Sequence, residues 1–192
     1  MRFEAAFHKS VVSARDFPRD DARWVLFGGR SNAGKSTVLN LLCGNRKLAR
    51  VSKTPGCTAA ANFFSLSQGG YFVDLPGYGY AATAKVRSRN FEPLIRELLA
   101  SGYVALFVLC CDIRRELREE EREFLGWFAK GEGENLLLLT KADKVARSAI
   151  PGIMRRREAQ SPAGTEVIAI SARTGYGVEE LRRRIYRVLK GE

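Results

Sequence analysis

The sequence of 192 residues has a single histidine, His8, and only four cysteines, Cys43, Cys57, Cys110 and Cys111. One histidine excludes a histidine-rich metal centre, and it excludes a histidine-based triad anywhere beyond the amino end. No two cysteines have the C-x-x-C spacing of a zinc or redox site, and neighbours such as Cys110 and Cys111 rarely bond to each other. The pattern suits a reducing compartment. Apolar runs of ~20 residues, the length that spans a bilayer, are absent. The longest run, Tyr103 to Cys111, is strand-sized, and its two cysteines act there as small hydrophobes. Charge comes early, at Arg2, Glu4, His8 and Lys9, where a signal peptide would place its apolar segment. The expectation is a cytoplasmic protein with no membrane insertion. Acidic residues are also in deficit, with 21 Asp and Glu against 32 Lys and Arg, a formal charge of +11. That balance fits a polyanionic partner, either nucleic acid or an anionic membrane surface, and it equally fits a generally basic soluble protein.

What is present is enough apolar material, 45 % of residues, to bury a core without disulfide or metal staples. Six short apolar runs read as buried strands: Trp24–Phe27, Phe63–Leu66, Tyr71–Leu75, Tyr103–Cys111, Leu136–Leu139 and Val167–Ile170. The second and third pair through the turn-prone Gln68-Gly69-Gly70. Helical spacing appears at Phe91, Leu94, Ile95, Leu98 and Leu99, and again at Val178, Leu181, Ile185, Val188 and Leu189. A third helix is marked by Leu117, Phe124, Leu125 and Phe128. Strands alternating with helices imply an α/β chain with a mostly parallel sheet and helices on both faces. Residues 1–22 are a less regular extension packed on a domain at 23–192, with one extra strand around Phe3–Phe7. No repeat, low-complexity tract or linker interrupts the chain.

Ligands of such sheets lie at the carboxyl ends of strands. After the first internal strand comes Gly29-Arg30-Ser31-Asn32-Ala33-Gly34-Lys35-Ser36, which is G-x-x-x-x-G-K-S, and it opens a helix through Val38, Leu39, Leu41 and Leu42. Strand, glycine loop and helix amino terminus together form a phosphate cradle. Backbone N–H groups turn inward where no Cβ obstructs them, and the helix end adds unpaired donors. Lys35 would reach the β- and γ-phosphates, and the Ser36 hydroxyl would take a magnesium position.

A phosphate loop does not choose the base. Thr140-Lys141-Ala142-Asp143 follows the strand Leu136–Leu139, and an aspartate there can accept from both N1–H and the 2-amino group of guanine. Adenine lacks that pair of donors, so a site built for them discriminates strongly. Lys141 can lay its stem along the purine. Ser171-Ala172-Arg173 follows the last strand and offers small side chains and an N–H near the guanine O6. Asp74-Leu75-Pro76-Gly77 ends another strand; its carboxylate would hold a magnesium-bound water, and the Gly77 N–H would sense the γ-phosphate. Within Thr54-Pro55-Gly56-Cys57-Thr58, we choose Thr58 over Thr54 to complete magnesium coordination. Segments ordered by a third phosphate and released on its loss form a switch.

These strings resemble the translation-factor-like bacterial GTPases, and most closely the EngB (YihA/YsxC) family of ribosome-assembly GTPases. The loop is similar to that family's G-R-S-N-V-G-K-S, with Ala33 for valine. Ser52 to Thr58 is similar to S-K-T-P-G-x-T, and Asp74-Leu75-Pro76-Gly77-Tyr78-Gly79-Tyr80-Ala81 matches D-L-P-G-Y-G-Y-A. Asp112-Ile113-Arg114 fits as well. The likeness runs from about residue 24 to the end. Two departures stand out: Gly28 where alanine is usual, and Ala59-Ala60-Ala61-Asn62 after the switch threonine.

The resemblance implies a three-layer Ras-like G domain whose mostly parallel six-stranded sheet carries one antiparallel strand. It implies that GTP and GDP are held by Gly29, Arg30, Ser31, Asn32, Ala33, Gly34, Lys35, Ser36 and Thr37, by Gly56, Cys57 and Thr58, and by Asp74, Leu75, Pro76 and Gly77. Thr140, Lys141, Ala142 and Asp143, with Ser171, Ala172 and Arg173, would hold the base. Catalysis would rest on Lys35, Thr58 and Gly77, and Mg²⁺ on Ser36 and Thr58. It further implies a monomer that acts on the large ribosomal subunit or its precursor, with consequences for cell division and septation. Residues 144–190 carry 11 Lys and Arg against 4 Asp and Glu. Such a surface would make salt-sensitive contacts to rRNA phosphates, or would simply be solvated helix faces.

Ras-like enzymes place a glutamine after the D-x-x-G glycine to orient the attacking water. Tyr78 stands there, and a phenol cannot donate and accept as a carboxamide does, so intrinsic hydrolysis should be slow. Completion would come from a ribosomal partner or a monovalent cation. Asn32 motivates K⁺, because the corresponding asparagine of similar potassium-activated GTPases coordinates that ion. The other reading of Asn32 is that it braces the loop.

Overall fold

The computed structural model describes residues 2–51, 60–77 and 84–192. The strands are β1 (Ala5–Val11), β2 (Trp24–Gly29), β3 (Ala61–Leu66), β4 (Tyr71–Asp74), β5 (Val104–Asp112), β6 (Glu134–Thr140) and β7 (Glu166–Ala169). The helices are α1 (Lys35–Cys43), the short α2 (Leu48–Val51), α3 (Ala84–Ala100), α4 (Glu119–Phe128), α5 (Ile150–Ala159) and α6 (Val178–Lys190). One sheet holds all these strands in the order β1-β3-β4-β2-β5-β6-β7. Only β3 runs against its neighbours, pairing antiparallel with β1 and β4, while the other pairs are parallel.

The apolar runs become strands because both faces of the sheet are covered. Every residue of β2 is buried, as is nearly every residue of β5 and β6, so the runs are continuous rather than alternating. On one face α1 and α6 contribute Val38, Leu39, Leu42, Leu181, Ile185 and Val188. On the other, α3, α4 and α5 contribute Leu94, Ile95, Leu98, Phe124, Leu125, Phe128, Ile150 and Ile153. This three-layer arrangement is the one expected from the sequence.

The sheet nevertheless has seven strands rather than six. The additional one, β1, is an edge strand with most residues at least partly exposed, Phe7 at 41 %. Its weak apolar alternation is therefore hard to read. It starts later than the expected Phe3–Phe7 and runs on to Val11, anchored by the fully buried Phe3, whose ring meets Phe72 edge-on at 5.1 Å. The third helix begins at Glu119, so Leu117 is buried in the preceding turn. Glu121 accepts the Arg118 N–H at 2.8 Å and closes the helix start, and three glutamates in the first turn suit its positive end.

Gly28 has a packing reason. A Cβ at this position would come within 2.9 Å of the Phe107 ring, which is itself stacked on Phe128 at a centroid distance of 3.7 Å. At the opposite rim, Arg184 of α6 pairs with Glu134 at the start of β6 and with Glu166 at the start of β7. This clip joins two neighbouring strands to the helix that covers them. No helix of the described residues is long and apolar enough to cross a membrane.

Candidate functional site

The parallel strands β2, β4, β5, β6 and β7 all end on one rim, and the sequence-predicted residues gather in the loops that follow. Gly29 closes β2 with φ 152°, and a Cβ there would stand 2.7 Å from the Cys110 carbonyl oxygen. Gly34, at φ 95°, turns the chain into α1 with no side-chain cap on the helix. The first N–H groups of α1 are thus left for an incoming acceptor. Ser31 and Thr37 are exposed, and Ser36 is half-buried in the first turn. Ala33 is buried beneath the loop. Arg30 reaches across to Glu120 of α4 at 3.3 Å.

Lys35 Nζ pairs with Asp74 at the end of β4; the side chains are 11 % and 9 % exposed. The pair joins the glycine loop to the D-x-x-G segment. Leu75 N–H donates to the Phe27 carbonyl at 3.0 Å, which sets Pro76 and Gly77 beside the loop. A Cβ built on Gly77 would lie 3.7 Å from Ser31 N and 3.8 Å from Gly29 O, so the two segments approach backbone to backbone. Gly56, Cys57 and Thr58, together with Thr54 and Tyr78, lie outside the described residues.

The strings expected to read the base approach the same loop from the other side. Thr140, 3 % exposed, sends its hydroxyl to the Ala33 carbonyl at 2.6 Å, with the Cys111 carbonyl 3.1 Å away. Its role is to brace the loop. Lys141 has φ 60°, and its Nζ donates to the Asn32 carbonyl at 2.8 Å. Asn32 itself is left-handed at φ 67°, a conformation asparagine tolerates better than most residues. The buried Ala142 donates its N–H to Ile170 O at 2.9 Å, tying this loop to the one after β7.

Asp143 accepts the Ser171 hydroxyl at 2.7 Å and the Arg173 Nε–H at 3.1 Å. Lys144 stands 3.9 Å off. The Ser171 hydroxyl first, then the aspartate's own N–H and the nearby cations, hold this carboxyl below the usual carboxylate range, against the opposing effect of burial. It is an ionised acceptor at neutral pH. Ser171 also takes the Thr174 N–H at 3.2 Å and donates its own N–H to Tyr176 O at 3.0 Å, which fixes its loop; Ala172 is exposed beside it. The sequence offers a backbone N–H and small side chains in this string, and the structure adds the Arg173 guanidinium, which touches the aspartate.

Sequence reasoning gave no role to Asp112, at the end of β5. Its carboxylate is 5 % exposed and is gripped by Arg114 through Nε at 2.9 Å and Nη2 at 2.7 Å. Lys141 Nζ lies 3.0 Å from its Oδ2. The Arg114 hydrogen bonds first, with help from Lys141, depress its pKa far below the ordinary value. A cavity of about 90 Å³ opens here between the glycine loop and the segment after β5, walled by Arg30, Arg114, Arg115 and Arg118 among others.

For a divalent cation the local donors are hard oxygens: the Ser36 hydroxyl and the Asp74 carboxylate. Among the described residues no cluster of three or more His, Cys, Asp or Glu side chains could hold a metal ion. The Ser36 hydroxyl and the Asp74 carboxylate are the hard-oxygen donors that Mg²⁺ takes beside waters and phosphate oxygens.

Comparison with known proteins gives the family. Residues 24–141 match the family described as 50S ribosome-binding GTPase. A protein of Dechloromonas aromatica named probable GTP-binding protein EngB is 43 % identical over 145 residues, which cover 75 % of this chain and 66 % of that one. Its namesake in Heliobacterium modesticaldum is 36 % identical over 184 residues, 93 % of this chain and 88 % of the relative. Among solved structures, that of a probable GTP-binding protein engB superposes with a TM-score of 0.72 at 23 % identity, over 88 % of this chain and all of that one. The G domain of the T. maritima FeoB iron transporter gives a TM-score of 0.56 at 23 % identity, over 86 % and 98 % of the two chains. At such identities the two structures speak for the fold alone.

Proposed function

The chain belongs to the EngB family of GTP-binding proteins, and from that premise we propose that it binds GTP and GDP with Mg²⁺ and hydrolyses GTP slowly to GDP and phosphate. We place its switch action on the large ribosomal subunit or its precursor in the cytoplasm, as a monomer, with normal cell division and septation depending on it. Residues 23–192 form the G domain in this reading, and residues 1–22 extend it. The observation that carries the nucleotide assignment is the ionised Asp143 carboxylate, held by Ser171 and Arg173 on the same rim as the Gly29–Ser36 loop. A carboxylate so fixed accepts from the two adjacent donors of guanine and finds no such pair on adenine.

In the hydrolytic step Lys35 offsets charge on the β- and γ-phosphates, moving from Asp74 to the nucleotide, and the Gly77 N–H donates to the γ-phosphate. Such preorganised donors are the main source of rate in phosphoryl transfer. Ser36 and Thr58 would hold Mg²⁺, which would supply further charge neutralisation when bound. Tyr78 in place of the usual glutamine supports the slow intrinsic rate. A monovalent cation at Asn32 is one route to acceleration, which equal turnover in potassium and sodium would rule out. The basic stretch 144–190 supports an rRNA contact, and it also supports the other reading, an RNA-binding scaffold whose nucleotide site serves the fold.

Direct titration with GTP, GDP and ATP tests the first part, and no preference for guanine would end the assignment. Co-sedimentation with large subunits, loaded with GDP or a non-hydrolysable GTP analogue, tests the second. A switch binds in one state only. Single-turnover hydrolysis with and without subunits separates switch from scaffold.

A further inference from the structure

We propose that Asp112 is a positioning residue for nucleotide binding: it does not touch the nucleotide, and it fixes Lys141 as a flat shelf under the purine. The inference rests on the guanine-nucleotide reading of the site and adds a residue to it.

The argument begins with the lysine. A side chain with four methylenes and a free ammonium head samples many rotamers, and ordering it on binding costs side-chain entropy. Lys141 does not have a free head. Its Nζ donates to the Asn32 carbonyl at 2.8 Å on the glycine loop and lies 3.0 Å from Asp112 Oδ2 at the end of β5. Two acceptors, one on the glycine loop and one at the end of β5, hold the ammonium head. The lysine backbone, at φ 60°, fixes the other end of the stem, so the shelf is built before any ligand arrives.

Asp112 can do this because it is itself immobile. Arg114 grips Oδ1 through Nε and Oδ2 through Nη2, and its backbone N–H reaches Oδ1 at 3.1 Å. A planar guanidinium engaged at both oxygens fixes the carboxylate plane as well as its position. Lys141 shares Oδ2 with Arg114 Nη2, so the position it can take on that oxygen is fixed. With the carboxylate 5 % exposed, water competes little for it. Asn32 O alone would leave the ammonium tethered at one point, free to swing its stem off the ring.

The test is a cycle of variants purified with GDP and followed by release of fluorescently labelled GDP and inosine diphosphate. Inosine lacks the 2-amino group, so a shelf defect affects both nucleotides equally, whereas a defect in base reading does not. Asp112→Asn should speed release of both about tenfold. Lys141→Ala should speed it at least as much, and the double variant should be no faster than Lys141→Ala alone, because both changes remove one device. Asp112→Glu keeps the charge, displaced by one methylene, and should fall between wild type and Asp112→Asn. Release within twofold of wild type in Asp112→Asn, multiplicative effects in the double variant, or a glutamate worse than the asparagine would each overturn the proposal. The last outcome would mark a packing role in a tight site. If Asp112→Asn does not fold, Asp112→Glu crossed with Lys141→Ala gives the same reading. A wild-type protein that prefers GDP no more than ADP fails the nucleotide reading first, before any variant is made, and this proposal falls with it.

Discussion

Asp143→Asn should move the protein from guanosine towards xanthosine nucleotides. The carboxylate spends one set of lone pairs on Ser171 Oγ at 2.7 Å and Arg173 Nε at 3.1 Å, and its remaining lone pairs take the guanine N1–H and 2-amino N–H. An amide of the same shape keeps one oxygen and turns the other into a donor. One charge-assisted hydrogen bond is lost, worth about ten- to a hundredfold in affinity. The new N–H₂ also faces a donor, either the guanine amino group or the Arg173 guanidinium, which leaves a polar group unmatched at a comparable cost. Together the dissociation constant for GTP should rise roughly a hundred- to several-thousandfold. Xanthine presents an N1–H donor beside a C2 carbonyl acceptor, the pattern an amide can meet, so xanthosine triphosphate should gain much of what GTP loses. Isothermal titration of wild type and variant with GTP, xanthosine triphosphate and ATP reads all three constants. GTP affinity within twofold of wild type, with no gain for xanthosine triphosphate, would show that this carboxylate does not read the base.

Other expectations follow from the same geometry. Thr140→Val removes a hydroxyl bonded to the Ala33 carbonyl at 2.6 Å without changing shape, so it should cost about 1–3 kcal/mol of stability by urea unfolding; no loss would mean the Ala33 carbonyl finds another donor. Gly28→Ala drives a methyl to 2.9 Å from a Phe107 ring already stacked on Phe128 and should cost about 1–3 kcal/mol by overpacking. Adding Phe107→Leu should return part of that loss, and a melting temperature unmoved by Gly28→Ala would show that the ring shifts freely. For pH, the depressed Asp143 pKa keeps its ionised form, and the affinity that depends on it, above the ordinary value of about 4. That contribution is lost only as pH falls through the lowered folded value. GTP affinity should therefore be flat from pH 8 to about 5 in the Asp143 contribution, and a midpoint near 6 would assign the titration to another group.

The sequence carried much of this site because its chemistry is local. Gly34 is dictated by a left-handed turn within one loop, Gly29 by the close approach of the neighbouring strand at Cys110, and the strand before them is apolar throughout. Strand ends were harder, since β5 and β6 run on into polar residues, Asp112 and Thr140, whose side chains serve neighbouring loops. The weakly amphipathic α5 buries Ile150, Ile153 and Arg157, and a buried arginine paired with Glu116 looks in sequence like part of a solvated basic run. The individual side-chain partners across those loops had no sequence signal. Nothing near Asp112 points to Lys141, and nothing near Thr140 points to Ala33. The parallel pairing of β5 with β6 sets Asp112 beside Thr140, and that of β2 with β5 brings the glycine loop alongside both.

The Arg184 clip has a bearing on how such a chain can vary. It fastens α6 to the entry ends of β6 and β7, whereas Asp143, Ser171 and the glycine loop sit where the parallel strands exit. Cohesion and recognition are thus lodged at opposite poles of the same sheet. Heat tolerance can drift at one pole through Arg184, Glu134 and Glu166 while the ligand chemistry at the other stays as it was.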